Sequence, residues 1–173
     1  MASLWIIDGY NLLRQSPRFS DLETKDESKA KQAMLRWLDK FSAQTGEQVV
    51  VVFDAYSDIR KEFLETQVGA VKVLFSRGAY TADEEIIAMA RDKGEAVIVI
   101  SSDKAILKEA IRAKASVLES LEFEREVNKI LLRNEEEERE REEFRSIPRR
   151  GSAYRPPREK KKAYLLLRKY YIH

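Results

Sequence analysis

The sequence predicts an α/β fold built on a mainly parallel sheet of about five strands. Short runs of apolar, mostly β-branched residues recur along the chain and suit strands that are covered on both faces. Between these runs lie segments whose apolar residues are spaced three and four apart, a pattern typical of amphipathic helices. Strands that alternate with helices in this way favour a parallel sheet with helices packed against it.

The N-terminal part of the chain predicts a strand, a loop and a helix. Residues 4–7 are four consecutive apolar residues that run into Asp8, and they predict the first buried strand. The polar stretch that contains Pro17 and Asp21 is predicted to be a loop. Gly46 is the predicted end of the helix. The apolar face of that helix is expected at Ala30, Ala33, Met34, Trp37, Leu38 and Phe41.

The middle of the chain carries the second and third predicted strands. Residues 49–53 are β-branched or aromatic, and this strand ends at Asp54. The charged stretch 58–67 is predicted to form a short helix. Residues 70–75 alternate only in part between apolar and polar side chains, so they predict a strand nearer the edge of the sheet.

Three helices and two strands complete the predicted domain. The strands are expected at residues 96–100 and 115–118. The first of the three helices ends at Gly94, and the last begins near Ser120. Their buried faces are expected at Ile86, Ile87 and Ala90, at Ile106, Leu107, Ala110 and Ile111, and at Val127, Ile130 and Leu131.

Composition narrows the chemistry that the chain can perform. It has no cysteine, which excludes disulfides, thiolate zinc sites and cysteine nucleophiles. Its one histidine is His173, which argues against histidine acid–base catalysis of the kind used by metal-free ribonucleases. No apolar run approaches the roughly 20 residues that a membrane-spanning helix needs, so a cytoplasmic protein without membrane contact is expected.

Four aspartates fall at corresponding places of the predicted sheet. Asp8 and Asp54 end strands, while Asp83 and Asp103 lie at the starts of helices near the same edge. Because the carboxyl ends of parallel strands meet at one edge, we expect these side chains to converge. Four carboxylates repel one another there, and a hard cation such as Mg²⁺ or Mn²⁺ would relieve the repulsion. Such a metal site can activate water and orient a phosphodiester.

Each acid also has a purely structural interpretation. Asp8 precedes Gly9 and suits a turn, and Asp54 suits a helix or turn cap. Asp83 falls inside a capping-box sequence, and Asp103 suits the N-cap of a helix. The chemical interpretation therefore depends on all four acids lying at one edge of the sheet.

Polar residues beside the acids are further candidates. Asn11 could hold a carboxylate or the scissile phosphate, or it could bond to the backbone as an ordinary loop amide. Ser101 and Ser102 could orient the following aspartate or a water molecule, with helix capping as the alternative. Arg77 and Lys104 are candidate phosphate contacts, with solvated surface charge as the alternative.

Four stretches of the chain carry a family resemblance. In order they are Ile-Asp-Gly-Tyr-Asn at 7–11, Val-Phe-Asp-Ala at 52–55, Tyr-Thr-Ala-Asp-Glu-Glu-Ile at 80–86 and Val-Ile-Ser-Ser-Asp at 99–103. Together they resemble the NYN domain family, specifically its bacterial YacP-like branch, whose members are relatives of PIN-domain nucleases. The resemblance covers about residues 3–130. It implies a PIN-like three-layer α/β/α fold and a ribonuclease that depends on Mg²⁺ or Mn²⁺.

The resemblance also implies which residues form the site. By position, the acidic site maps onto Asp8, Asp54, Asp83 and Asp103, with Asn11 beside it. The expected metal ligands are Asp8, Asp83, Asp103 and Glu84. Two details depart from the family pattern, since Ala55 stands where a glycine is usual and both Glu84 and Glu85 crowd Asp83.

The C-terminal part of the chain is strongly basic. Residues 145–173 hold ten of the 32 Lys and Arg residues and one of the 30 acids, so their net charge is +9. Residues 1–144 carry the remaining 22 basic and 29 acidic residues, so their net charge is −7. We expect a nuclease domain at 1–133, followed at 134–173 by a charged helix extension and a basic tail that contains tyrosines. The tail residues expected to bind RNA are Arg149, Arg150, Arg155, Arg158, Lys160, Lys161 and Lys162. Alternatively, residues 164–167 dock on the body as a last strand or helix.

Two functions compete at this point. The first is an endoribonuclease, with messenger or ribosome-associated RNA as candidate substrates, whose tail aids binding to RNA, the ribosome or another ribonucleoprotein. The alternative is a non-catalytic RNA-binding protein with the same fold and tail. Clustered negative charge beside RNA argues against a pure binder. A small-molecule phosphohydrolase is a third class, but the chain has no Gly-rich nucleotide-binding loop.

Overall fold

The computed structural model describes residues 3–55, 65–76 and 80–146, with the backbone alone at 140 and 142–146. The chain divides into two compact units, Met1–Glu135 and Glu136–His173, and the sheet belongs to the first. The predicted RNA-binding residues that lie outside the described residues are Arg77, Arg149, Arg150, Arg155, Arg158, Lys160, Lys161 and Lys162.

One six-stranded sheet has the strand order β3-β4-β2-β1-β5-β6. All neighbouring strands pair in parallel except β3 and β4, which are antiparallel. The strands are β1 Leu4–Asp8, β2 Gln48–Phe53, β3 Glu65–Val68, β4 Val71–Phe75, β5 Val97–Ile100 and β6 Ser116–Leu118. The predicted mainly parallel α/β fold is confirmed, with six strands where about five were expected.

Helices cover both faces of this sheet and give the fold three layers. The helices are α1 Gly9–Gln15, α2 Ser20–Lys25, α3 Glu27–Thr45, α4 Ala82–Lys93, α5 Lys104–Arg112 and α6 Ser120–Ser146. Apolar residues of α1, α3 and α6 form one hydrophobic core, and those of α4 and α5 form the other. None of the helices in the described ranges is both long and apolar enough to cross a bilayer.

Strand β1 lies in the middle of the sheet and is buried on both sides. Ile6 and Ile7 are both completely buried and point to the two different cores. The register pairs Asp8 with Val52 of β2, and Ile7 with Ile100 of β5. The last residue of β1 therefore lies at the centre of the carboxyl edge of the sheet, with a strand on either side.

The predicted loop between β1 and α3 is wrong, because this stretch forms the short helices α1 and α2. Leu12 and Leu13 are completely buried, so packing against the sheet stabilises a helix that periodicity alone does not reveal. Pro17 lies between the two helices, where its missing N–H breaks no helical hydrogen bond.

The predicted helix at 58–67 is wrong over its last residues, which belong to strand β3; residues 56–64 lie outside the described part of the chain. The strand turns back into β4 through Gly69, whose φ of 58° is the left-handed conformation that glycine tolerates. Asp39 of α3 holds this turn by accepting a hydrogen bond of 2.8 Å from the N–H of Ala70. Because β3 is a polar edge strand, its conformation depends on pairing with β4. Its sequence contains no apolar pattern that would predict a strand.

The predicted buried face of α5 is wrong at one position. Ile106 and Ala110 are buried as expected, whereas Ile111 is 58% exposed. Ile111 lies in the last turn of the helix, one residue past Ala110 and therefore about 100° around the helix axis from it. Its side chain therefore points away from the hydrophobic core that contains Ala110.

Candidate active site

Asp8 is the most enclosed of the four predicted aspartates, with 7% of its surface exposed. It ends β1 and is the N-cap of α1, where its Oδ1 accepts a hydrogen bond of 3.2 Å from the N–H of Asn11. Its Oδ2 accepts a bond of 2.9 Å from the hydroxyl of Ser101. Both oxygens are thus held by protein donors, while each keeps a further lone pair that can accept or ligate.

Burial raises the pKa of Asp8 from 3.8 to about 6. Hydrogen bonds from Asn11 and Ser101 act in the opposite direction, because they stabilise the charged form. Repulsion from Asp83 and Asp54 adds to the rise. A buried acid whose pKa is raised in this way, beside other acids, is typical of a functional site.

Ser101 connects two of the aspartates through one buried hydroxyl. Its Oγ donates to Asp8 and accepts a hydrogen bond of 3.1 Å from the N–H of Asp103. Asp103 is in turn the N-cap of α5, where its Oδ1 accepts bonds from the N–H groups of Ala105 and Ile106 at 2.7 and 3.3 Å. The ends of β1 and β5 are therefore fixed relative to each other by side chains as well as by backbone pairing.

Asp54 and Asp83 meet at the start of α4. Oδ1 of Asp54 accepts a hydrogen bond of 2.7 Å from the N–H of Ala82, the first residue of that helix. Asp83 follows directly, and its pKa is raised, first by burial and then by repulsion from Asp103, Asp54 and Glu84. The electrostatic neighbours of Asp8 and Asp83 show that all four aspartates share one region at the carboxyl edge.

Glu84, a predicted metal ligand, takes part in the predicted capping box. Its backbone N–H donates to the hydroxyl of Thr81 at 3.2 Å, and its Oε2 accepts from the N–H of Thr81 at 2.8 Å. This carboxylate is therefore held at the first turn of α4, and its role toward a metal stays a prediction.

Asn11 binds three elements together through its side-chain oxygen. Oδ1 accepts hydrogen bonds from the N–H of Ser102 at 2.8 Å and from the hydroxyl of Ser120 at 2.7 Å. It thereby joins α1 to the segment after β5 and to the start of α6. The side-chain N–H groups of Asn11 have no partner among the described residues, so they are available to a bound group.

Sequence reasoning missed a cation beside this edge. Lys31 of α3 lies with its Nζ 4.5 Å from the ring centroid of Tyr10 and 5.0 Å from that of Phe53, the residue before Asp54. Its Nζ also donates to the Tyr10 hydroxyl at 2.6 Å and pairs with Glu27. Periodicity could not reveal this, because Lys31 reads as one more charged residue on an amphipathic helix.

Ser120 is the second residue that sequence reasoning missed at the site. It is completely buried and anchors the N-terminus of α6 through the bond to Asn11. The two residues are 109 positions apart, and no local pattern links them. Of the predicted phosphate contacts, Lys104 is the first residue of α5 next to Asp103 and is exposed, whereas Arg77 is not described.

The donor set suits a hard divalent cation. All the candidate ligands are carboxylates, and oxygen ligands are what Mg²⁺ and Mn²⁺ prefer. Within the described ranges, no three His, Cys, Asp or Glu side chains lie close enough together to hold one metal ion. Mg²⁺ is commonly bound by only one or two carboxylates together with waters and substrate phosphates, so the donors present fit this kind of ion.

The sequence matches the YacP-like NYN domain over residues 5–160. The chain belongs to this family. The predicted family resemblance is thereby confirmed, and the match extends past the expected limit near residue 130 into the basic tail. The YacP-like NYN domain is nuclease-like, which agrees with acids gathered at the carboxyl edge of a parallel sheet.

Similar proteins are known from Bacillus subtilis. The uncharacterized protein YacP of strain 168 is 31% identical over 86 residues, which are 50% of this chain and 50% of that protein. The match thus spans about half the length of that relative. A crystal structure of a mutant of Rae1 (YacP) is 26% identical, with a TM-score of 0.66 over 84% of this chain and 86% of the other. A second crystal structure of Rae1 (YacP) has a TM-score of 0.69 over 96% and 91%; at 24% identity it shows the fold alone.

Proposed function

We propose that this YacP-like NYN protein is a metal-dependent endoribonuclease that hydrolyses RNA phosphodiester bonds. The observation that carries the proposal is the meeting of Asp8, Asp54, Asp83 and Asp103 at one edge of the sheet, where the pKa values of Asp8 and Asp83 are raised. Membership in a nuclease-like family supports a ribonuclease-type function.

The proposed metal ligands are drawn from Asp8, Asp83, Asp103 and Glu84, and any one cation would be held by one or two of these carboxylates together with waters and substrate phosphates. Mg²⁺ or Mn²⁺, when bound, would supply activation of water and neutralisation of the charge that develops on the phosphate. The helix N-termini of α1, α4 and α5 all lie at this edge, and each interacts with one of the aspartates. Their positive ends stabilise the ionised acids that a cation requires.

The remaining polar groups position the acids and the substrate. Ser101 fixes the carboxylate of Asp8 relative to the backbone N–H of Asp103. The carboxylate of Asp103 is held separately by the N–H groups of Ala105 and Ile106. The side-chain N–H groups of Asn11 face no described partner and are suited to donate to a phosphate oxygen. Lys104 offers an exposed positive charge at the same edge.

The basic tail is proposed to supply affinity that the acidic body lacks. Neutralising phosphates with Lys and Arg makes binding depend steeply on salt. The partner would be RNA alone, or RNA within a ribosome or another ribonucleoprotein. Replacing Lys160, Lys161 and Lys162 with glutamine should reduce the slope of log K against log salt concentration by about 2 for single-stranded RNA, because each lysine that neutralises a phosphate contributes about 0.7.

The test is cleavage of single-stranded and structured RNA in Mn²⁺ or Mg²⁺ by the wild type and by Asp8→Asn. The substitution keeps the size of the side chain and removes one ligand charge. Asp92→Asn is a matched control, because Asp92 has a side chain that is 75% exposed on α4. Cleavage by the wild type and Asp92→Asn, but not by Asp8→Asn, supports the proposal.

Other outcomes point elsewhere. Equal cleavage by all three proteins would mean that the activity does not come from this site. If none of them cuts RNA and all bind it with the same affinity, the protein is an RNA-binding protein that uses the fold without catalysis.

A further inference from the structure

Tyr80 differs from every other described aromatic residue. Its side chain is 64% exposed, whereas the remaining described aromatic side chains are buried or partly buried. It contacts no other ring among the described residues. Single exposed apolar residues are common on protein surfaces, so exposure by itself indicates nothing. What distinguishes Tyr80 is its position next to the acids.

Tyr80 lies close in the chain to residues that hold the acids. Tyr80 lies two residues before Ala82, whose N–H donates to the carboxylate of Asp54 at 2.7 Å. It lies three residues before Asp83, and Thr81 between them is fixed by the capping box of α4. The backbone on its C-terminal side is therefore held by two sets of hydrogen bonds.

An open groove of about 620 Å³ runs from Tyr80 along the outer face of α4. Its lining residues are Tyr80, Glu84, Glu85, Ile87, Ala88 and Arg91. Glu84, Ala88 and Arg91 are spaced four and three apart, so they follow one stripe of the helix. Arg91 is paired with Glu109 at 3.0 Å and is not free to bind a second anion without losing that pair.

The groove suits a nucleobase better than a phosphate. Glu85 lines it and would repel a phosphate group. Carboxylates accept hydrogen bonds from the N–H groups of a base. Glu85 has no hydrogen-bond or ion-pair partner in the described part of the chain. Tyr80 supplies the aromatic face on which a base can stack, and Ala88 and Ile87 supply an apolar floor.

We infer that Tyr80 stacks on an unpaired nucleobase next to the scissile phosphate, with the α4 groove receiving that base. The inference rests on the proposed nuclease function and assigns a binding position to one base beside the cut. In a duplex both faces of a base are covered by its neighbours, so the ring of Tyr80 can be used only where a base is splayed out.

The experiment compares the wild type with Tyr80→Ala and Tyr80→Phe. Cuts are first mapped on single-stranded RNA with the wild type. Oligonucleotides of about 12 nucleotides are then made with an abasic site on either side of the cut. The wild type should lose about 5- to 150-fold in kcat/KM on one of the two abasic substrates. On the intact substrate, Tyr80→Ala should show the same reduction in kcat/KM relative to the wild type. Removing the base should reduce the kcat/KM of Tyr80→Ala no further. Tyr80→Phe should match the wild type on both substrates.

Two controls separate stacking from other effects. Ile111→Ala removes a side chain of similar exposure, 58%, from α5 and should leave both substrates unaffected. Binding is measured in the Asp8→Asn background by the quenching of 2-aminopurine, placed in turn at each position of one single-stranded oligonucleotide, so that stacking is followed without cleavage and without a mapped cut. Quenching should be lost when Tyr80→Ala is added and kept when Tyr80→Phe is added.

The failure of this inference is distinct from the failure of the proposed function. If the wild type cuts RNA but Tyr80→Ala cuts the intact substrate equally well, the stacking role of Tyr80 is wrong and the nuclease stands. If the wild type cuts no RNA, the quenching measurement still decides: quenching that depends on the ring supports base stacking, and quenching that does not depend on it overturns the inference.

Discussion

Asp8→Asn should make the metal-free protein more stable at neutral pH while abolishing its activity. The pKa of Asp8 is raised from 3.8 to about 6, so the folded protein binds this proton more tightly than the unfolded chain does. Ionisation of Asp8 therefore costs the folded state about 3 kcal/mol at neutral pH. Asparagine avoids that cost but cannot accept from both Asn11 and Ser101 as the carboxylate does, which removes about 1 kcal/mol. The expected net gain is about 2 kcal/mol.

The dependence on pH follows from the same shift. Because the pKa of Asp8 is raised on folding, the stability that its protonated form contributes is fully present below about pH 4. This stability is lost as the pH rises through about 6. The advantage of Asp8→Asn should therefore be absent near pH 4 and complete by about pH 7.5. Urea unfolding in EDTA at several pH values measures this, with the surface substitution Asp92→Asn as the control.

Added metal should reverse the order of stability. A cation that binds only the folded wild type adds about 2.7 kcal/mol at a hundred times its Kd, and Asp8→Asn should gain much less. A variant that is less stable than the wild type in EDTA at about pH 7.5, or one whose difference does not grow with pH, would refute the assignment of Asp8 as a buried, electrostatically strained acid.

Three further substitutions test the packing and bonding around the site. Gly9→Ala should destabilise the fold by about 1–3 kcal/mol in urea unfolding, because its Cβ would come within 2.4 Å of the buried ring of Phe53; an unchanged midpoint would show that the ring moves freely. Ser101→Ala removes a bond that lowers the pKa of Asp8, so the acid limb of the pH–rate profile should move to higher pH, and an unmoved limb would exclude Asp8 as the titrating group. Asn11→Ala leaves the buried hydroxyl of Ser120 and a backbone N–H without their acceptor and should cost about 2 kcal/mol, measured in the same unfolding assay; an unchanged midpoint would show that these donors find another acceptor.

The sequence was sufficient to predict that the four acids lie near the carboxyl edge of the sheet, because apolar runs and helix-capping patterns mark the ends of strands and the starts of helices. The apolar runs that end at Asp8 and Asp54 mark where β1 and β2 stop, and right-handed crossovers bring those ends to one edge. The capping box at Thr81 and Glu84 and the N-cap at Asp103 were also local patterns, and the structure contains both.

The two interpretations of these acids turned out to be compatible. Asp8 and Asp103 cap helices, and Asp54 accepts from the first N–H of α4. The structural bonds use one or two of the lone pairs of each carboxylate and leave others open. Helix capping therefore orients the acids at the edge, and it does not compete with their proposed role toward a cation.

What the sequence could not predict depends on distant partners. Helix α1 is stabilised by the burial of Leu12 and Leu13 against the sheet, and strand β3 by pairing with β4. The bond from Ser120 to Asn11 and the approach of Lys31 to the ring of Phe53 arise only when the layers are assembled. Local propensity and periodicity carry no information about contacts of that range.

The long-range bonds of Asn11 also set an order of events during synthesis. Strand β1 is synthesised before β5, one of its two neighbours, which ends at Ile100, and before Ser120, whose hydroxyl donates to Asn11. Contacts of such sequence separation form late, after the intervening chain has been made. A half-finished chain therefore carries Asp8 and Asp54 without the neighbours that arrange them. On the proposed function, the nascent protein cannot cut the message from which it is being translated until nearly the whole domain has emerged.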